Sequence, residues 1–68
     1  MKLTENVKSE ILKYCSDKKG EDISELTEEV IDFLLDEYIV DLSDDEHGDM
    51  HESLNNSVWE FIEENVSL

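Results

Sequence analysis

The side chains in this sequence that could bind or react with other molecules are mainly carboxylates. Twenty Asp and Glu accompany five Lys and no Arg, so the formal charge of the 68-residue chain is −15. All five lysines lie in residues 1–19, whereas residues 20–68 contain seventeen acids and no Lys or Arg. Spacings of four, three and four residues place four of these acids on one helix face: Glu25, Glu29, Asp32 and Asp36. This row can bind cationic groups, and no motif in the sequence indicates a reaction, so we expect a binding protein and not an enzyme.

A cation-free row of acids is suited to a protein surface that normally holds phosphates. Carboxylates one helical turn apart are separated by roughly 5 to 6 Å, and phosphates of B-DNA advance by about 3.4 Å per nucleotide along the axis. A site built from Lys and Arg for phosphates could therefore accept this face. A solvated helix face is the simpler interpretation, but such faces usually mix charges, because opposite charges one turn apart stabilise helices.

The predicted partner-binding surface contains eleven acids together with one aromatic side chain that lies at the margin of an apolar helix face. A ring in this position could anchor an interface or act as a wedge in the core. The predicted residues are Glu25, Glu28, Glu29, Asp32, Asp36, Asp44, Asp45, Glu46, Glu52, Trp59, Glu60 and Glu63.

In size and composition, residues 20–68 resemble a known class of proteins. A short, very acidic, Arg-free chain with few aromatics resembles the phage-encoded inhibitors that mimic DNA, such as the uracil-DNA glycosylase inhibitor, restriction-blocking proteins and some anti-CRISPR proteins. It is similar, less closely, to the acidic helical immunity proteins that block nuclease toxins. The resemblance implies a basic nucleic-acid-binding partner, namely a nuclease, polymerase, nucleoid protein or CRISPR-type effector, and no direct contact with nucleic acid. It implies no residue roles.

Residues 41–52 offer a calcium site as the alternative function. Five potential ligands match positions 1, 3, 5, 9 and 12 of an EF-hand loop: Asp41, Ser43, Asp45, Asp49 and Glu52. Glu46 occupies the sixth position, where the sharp turn requires Gly, and Gly48 occupies the eighth, which is usually apolar. The main prediction therefore includes no metal and no cofactor. A Ca²⁺-binding helix–loop–helix module, an acidic adaptor without mimicry and an acidic bundle from a high-salt organism remain as alternatives.

Three smaller patterns have structural interpretations. His47 and His51 are four residues apart, as metal ligands on a helix can be, but are expected to be two exposed side chains. Cys15 lies on an apolar stripe, which predicts a buried thiol. The Glu-Ser-Leu sequence at 52–54 resembles the Asp-Ser-Leu attachment site of acyl carrier proteins, but only fourteen residues follow it, too few for that fold.

The carboxylates lie mainly in segments that are predicted to be helical. Apolar residues recur at helical spacing in three segments, which predicts an all-α, up-down-up three-helix bundle with helices at about 5–19, 22–42 and 50–66. Thr4, Asp22 and Asp49 are predicted as N-caps, and Gly20 as the residue that ends the first helix. The run Tyr38-Ile39-Val40 would also suit a short strand.

The predicted core comprises the apolar stripes of the three helices, which meet in one domain spanning residues 1–68. The first stripe contains Val7, Ile11, Leu12, Tyr14 and Cys15. The second contains Ile23, Leu26, Val30, Ile31, Phe33, Leu34, Leu35, Tyr38, Ile39, Val40 and Leu42. The third contains Met50, Leu54, Val58, Phe61, Ile62 and Val66.

Chain length and composition add expectations about stability and location. A chain of 68 residues buries only about 60% of the surface that its unfolded form exposes, so stability should be marginal and a homodimer would raise it. A single cysteine suits a reducing compartment. The N-terminus has no apolar signal region, and no apolar run is long enough to span a membrane. We expect a cytoplasmic protein, in the host cytoplasm if a phage encodes it.

Overall fold

The computed structural model describes residues 3–18, 20–43 and 47–66, which form three α-helices and contain no strand. The helices are α1 (Glu5–Cys15), α2 (Ile23–Asp36) and α3 (Asp49–Asn65). Each helix packs against both others, and α2 and α3 share the most extensive contact. The predicted all-α three-helix bundle is therefore confirmed.

The helices begin close to the predicted residues, with one difference. The Thr4 hydroxyl accepts the N–H of the third residue after it at 3.2 Å, and the Asp22 carboxylate accepts that of the second residue after it at 2.8 Å. Both are N-caps, as predicted. The prediction of Asp49 as a cap is wrong, because Gly48 is the N-cap of α3 and has a φ of 77°. Glycine adopts this left-handed conformation without steric cost, so Asp49 joins the first turn, where the helix dipole favours an acid.

Helix α1 ends four residues before its predicted end. The hydroxyl of Ser16 donates to the carbonyl of Lys13 at 2.8 Å, and the N–H of Lys18 donates to the carbonyl of Cys15 at 3.0 Å. Serine side chains compete in this way with the helical bonding pattern. Lys19, the last residue of the predicted helix, lies outside the described residues.

Helix α2 ends at Asp36, six residues before its predicted end. The N–H of Ile39 donates to the carbonyl of Leu34 at 2.9 Å, and the N–H of Tyr38 donates to that of Leu35 at 3.2 Å. These two bonds define a Schellman motif, in which the residue at the position of Tyr38 is left-handed and is usually glycine. Tyr38 has a φ of 55°. Residues 38–40 therefore form a turn, and neither the predicted helical continuation nor the alternative strand exists there.

All three helices contribute to one apolar core. Its buried members are Val7, Ile11, Cys15, Leu26, Val30, Ile31, Leu34, Leu54, Val58 and Ile62. Thr27 is also buried, and its hydroxyl donates to the carbonyl of Ile23 at 2.7 Å, which satisfies the polar group.

Three of the predicted core residues are exposed instead. Tyr38 is 88% exposed, because α2 ends before it and the chain turns away. Leu12 and Met50 are 44% and 42% exposed. Leu12 lies next to the buried Ile11 at the margin of the α1 stripe, and Met50 lies in the first turn of α3.

Candidate functional site

The acidic row of α2 is displayed to solvent along the helix. In this row Glu25, Asp32 and Asp36 are exposed and Glu29 is half-buried, and Glu28, beside the row, is also exposed. The buried face of the same helix is formed by Leu26, Thr27, Val30, Ile31 and Leu34. The apolar periodicity therefore fixes both faces of α2, because burial of one face in the core turns the carboxylates outward.

Helix α3 adds a second set of exposed acids, at Glu52, Glu60 and Glu63. Trp59 is half-buried, and its indole N–H donates to the carboxylate of Glu63 at 3.2 Å, one turn along the same helix. The polar edge of the indole therefore has a partner within its own helix, and part of its surface remains exposed. The predicted site residues Asp44, Asp45 and Glu46 lie outside the described residues.

A groove of about 580 Å³ brings acids of α2 beside α3. Its walls include five carboxylates and an imidazole, from Glu21, Glu25, Glu28, Glu29, Asp32 and His51. Four of these acids were predicted site residues. Glu21 and His51 were not predicted. Glu21 precedes α2, and its position beside the acidic row depends on the path of the segment that joins α1 to α2. The signal for Glu21 in the sequence was its position four residues before Glu25.

Glu21 and Glu29 interact with each other in this groove. A hydrogen bond between the two carboxyl groups raises the pKa of Glu21, and loss of solvent and the charge of Glu29 raise it further. Lys18 opposes this shift. A carboxyl pair holds a shared proton more firmly than an isolated carboxylate does. The groove thus brings Glu21 and Glu29 together, and their interaction raises the pKa of Glu21 above its ordinary value.

A second groove, of about 350 Å³, joins the acidic row to α1. Tyr14 and Phe33 contribute stacked rings with centroids 5.0 Å apart, and Asp32 and Asp36 are among the acids that line it. The ammonium of Lys18 lies 5.3 Å from the centroid of the Tyr14 ring, a cation–π contact. The lysine-bearing part of the chain thus meets the acidic row at an aromatic contact.

The loop proposed as a calcium site uses its first carboxylate internally. The Asp41 carboxylate accepts the N–H of Ser43 at 2.9 Å, and this bond lowers the pKa of Asp41. Asp49 and Glu52 belong to the first turn of α3, and Asp45 lies outside the described residues. Within the described residues, no three His, Cys, Asp or Glu side chains are grouped closely enough to hold a metal ion.

The lone cysteine is a structural residue. Cys15 is buried in the core, as predicted from its place on the α1 stripe. Burial raises the pKa of its thiol, and the charge of Glu21 raises it further. Because the thiolate is the reactive form of cysteine, this environment disfavours nucleophilic chemistry.

No protein-family model matches this chain, and neither a curated protein nor a solved structure matches it significantly. Fold and surface together define a small three-helix bundle with carboxylates along the outer faces of α2 and α3. None of the described helices combines the length and the apolar composition needed to cross a membrane.

Proposed function

We propose that this protein is an acidic inhibitor of the DNA-mimic type, which occupies the basic, nucleic-acid-binding surface of a partner protein. The observation that carries the proposal is the exposed acidic surface of α2 and α3 within residues 20–68, a segment with seventeen acids and no Lys or Arg. A surface of one sign attracts an oppositely charged partner over long distances, and so accelerates association.

The cost of this surface to the free protein supports the proposal. The pairs Glu25–Glu29 and Asp32–Asp36 place like charges one helical turn apart, which destabilises a helix. The pKa of Glu21 is raised chiefly by its hydrogen bond with Glu29, and the charges of Glu29 and Glu25 raise it further, so the same repulsion extends to this residue. The buried face of α2 contains no acid, so the core does not require these residues. A cationic partner would relieve this repulsion, and the relief would contribute favourably to the free energy of binding.

The proposed partner is a basic protein that normally binds nucleic acid, such as a nuclease, polymerase, nucleoid protein or CRISPR-type effector. The protein is not expected to bind nucleic acid directly, because its acidic surface would repel phosphates. We also propose a cytoplasmic location, which agrees with the free thiol of Cys15 because the cytoplasm keeps thiols reduced.

The test begins with capture of the partner from host lysate at about 50 mM salt, followed by titration of the purified pair between about 50 and 500 mM NaCl. Affinity is expected to fall steeply over this range, because salt screens charge–charge attraction. An affinity that stays constant from low to high salt contradicts the proposal.

A pair of double variants tests which region is responsible. Glu29→Lys with Asp36→Lys changes the acidic row, and Glu10→Lys with Asp17→Lys makes the same change of net charge near α1. We expect the first pair to weaken binding at least tenfold, about 1.4 kcal/mol, and the second to weaken it much less. Equal losses would show that only net charge matters, and would contradict a role for the row.

A further inference from the structure

Tyr38 combines an exposed aromatic ring with a strained backbone. Its side chain is 88% exposed, and its φ of 55° makes it the one non-glycine residue among those described that has a positive φ. Bulky L-residues seldom adopt this conformation, because Cβ approaches the backbone too closely. Strain of this kind is concentrated at functional sites, where the surrounding structure maintains it.

The fold needs the turn at this position but does not need the tyrosine side chain. The closing bonds run from the backbone N–H groups of Tyr38 and Ile39 to carbonyls in the last turn of α2. Glycine would make the same bonds without the steric cost. The two bonds also fix the backbone that carries the ring, which reduces the entropy lost when such a side chain enters an interface.

The neighbouring residues specify the chemistry of a partner for this ring. Asp36 and Glu37 precede Tyr38, Asp41 follows it, and all three are exposed acids. An aromatic ring among carboxylates is suited to arginine, whose planar guanidinium stacks on rings and pairs with carboxylates. The protein already contains a related contact, between the Lys18 ammonium and the Tyr14 ring.

We propose that Tyr38 anchors the complex, with an arginine of the basic partner stacked on its ring and paired with the carboxylates beside it. This inference rests on the proposed function and adds to it the contact that selects arginine over lysine. The strained turn serves to present the ring, which explains why a tyrosine stands where a helix end favours glycine.

The test measures binding of two fluorescent peptides, deca-arginine and deca-lysine, to the full-length protein and to Tyr38→Gly. We expect the protein to prefer deca-arginine. Tyr38→Gly should bind deca-arginine roughly three- to tenfold more weakly, a loss that lies within the range of cation–π contacts, while deca-lysine binding changes little. The variant should also melt at a higher temperature, so weaker binding could not be attributed to unfolding.

Tyr38→Phe serves as the matched control, because it keeps the ring and the backbone strain and should retain the preference for deca-arginine. Salt-dependent binding of both peptides with no effect of Tyr38→Gly would overturn the anchor and leave the proposed function standing. Binding that is insensitive to salt in every variant would contradict the proposed function as well.

Discussion

The segment around α1 and the segment containing α2 and α3 differ in the sign and placement of their charges. Residues 1–19 contain five lysines and three acids, with Lys13 in the last turn of α1, where the helix dipole favours a cation. The last turns of α2 and α3 contain no basic residue. Both segments contribute to one core, so the fold does not dictate the difference in charge. The charges of the larger segment therefore depart from the arrangement that helix stability favours.

The largest expected effect is the loss of stability when a leucine of each segment is replaced by alanine. Leu54→Ala, at a fully buried position of α3, should lower the free energy of unfolding by about 2–5 kcal/mol, through lost burial and a residual cavity. Leu12→Ala, on the exposed margin of α1, should lower it by less than about 1 kcal/mol. Urea denaturation measures both. Equal losses would show that the margin of α1 is as closely packed as the contact between α2 and α3.

The next effect concerns the two backbone positions with positive φ that flank α2. Tyr38→Gly should raise the free energy of unfolding by about 1 kcal/mol, because glycine relieves the left-handed strain. Gly20→Ala should lower it by about 1 kcal/mol, since φ is 87° there although no atom lies near the added Cβ. Thermal denaturation of the two variants checks the signs. A less stable Tyr38→Gly would mean that the ring contributes to the fold.

Charge reversal in the acidic row should stabilise the free protein by a small amount. Glu29→Lys with Asp36→Lys turns two repulsive i,i+4 pairs into attractive ones, with the acid N-terminal to the lysine in each. We expect a gain in stability of about 1 kcal/mol or less. The melting temperature of the unmodified protein should rise with NaCl, and that of the variant should rise less, because less repulsion remains to be screened. A destabilised variant would show that the row is not under strain.

The smallest expected effect is a dependence of stability on pH that originates at Glu21. Its folded pKa lies above the ordinary value of 4.5, so the folded state binds the proton more tightly than the unfolded state. The resulting stabilisation is complete below 4.5 and is lost as pH rises through the folded pKa. Melting temperature should therefore increase from pH 7 to pH 5, and Glu21→Gln should reduce that increase.

Asp41→Asn is the matched control for this pH dependence. The pKa of Asp41 is lowered from 3.8 by its bonds with Ser43, so its contribution is present above 3.8 and lost only in more acidic solution. The variant should keep the slope between pH 7 and pH 5. An unchanged slope in Glu21→Gln would contradict the raised pKa of Glu21.

The fold could be predicted from sequence wherever a local pattern determined it. Helical spacing gave the three helices and the burial of Cys15, and the caps at Thr4 and Asp22 followed from side chains that accept backbone N–H groups. The end of α2 could not be predicted, because the residue that turns left-handed is Tyr38 and not the usual glycine. The N-cap of α3 was predicted wrongly because Gly48, the residue that forms it, has no side chain that could indicate this role.

The candidate site was predicted in part. The row on α2 followed from spacing alone, because four acids on one helix face must point the same way. The approach of Glu21 to Glu29 could not be predicted, since it depends on the path of the link between α1 and α2. The exposure of Tyr38 depends on the unpredicted helix end.

A cross-saturation NMR experiment on the isotope-labelled protein, bound to its captured partner at low salt, maps the contact surface directly. We expect the acidic surface to bind the partner, so that amide signals lose intensity along the exposed faces of α2 and α3 and around Tyr38. Loss of intensity confined to α1, with the acidic faces unaffected, would contradict it.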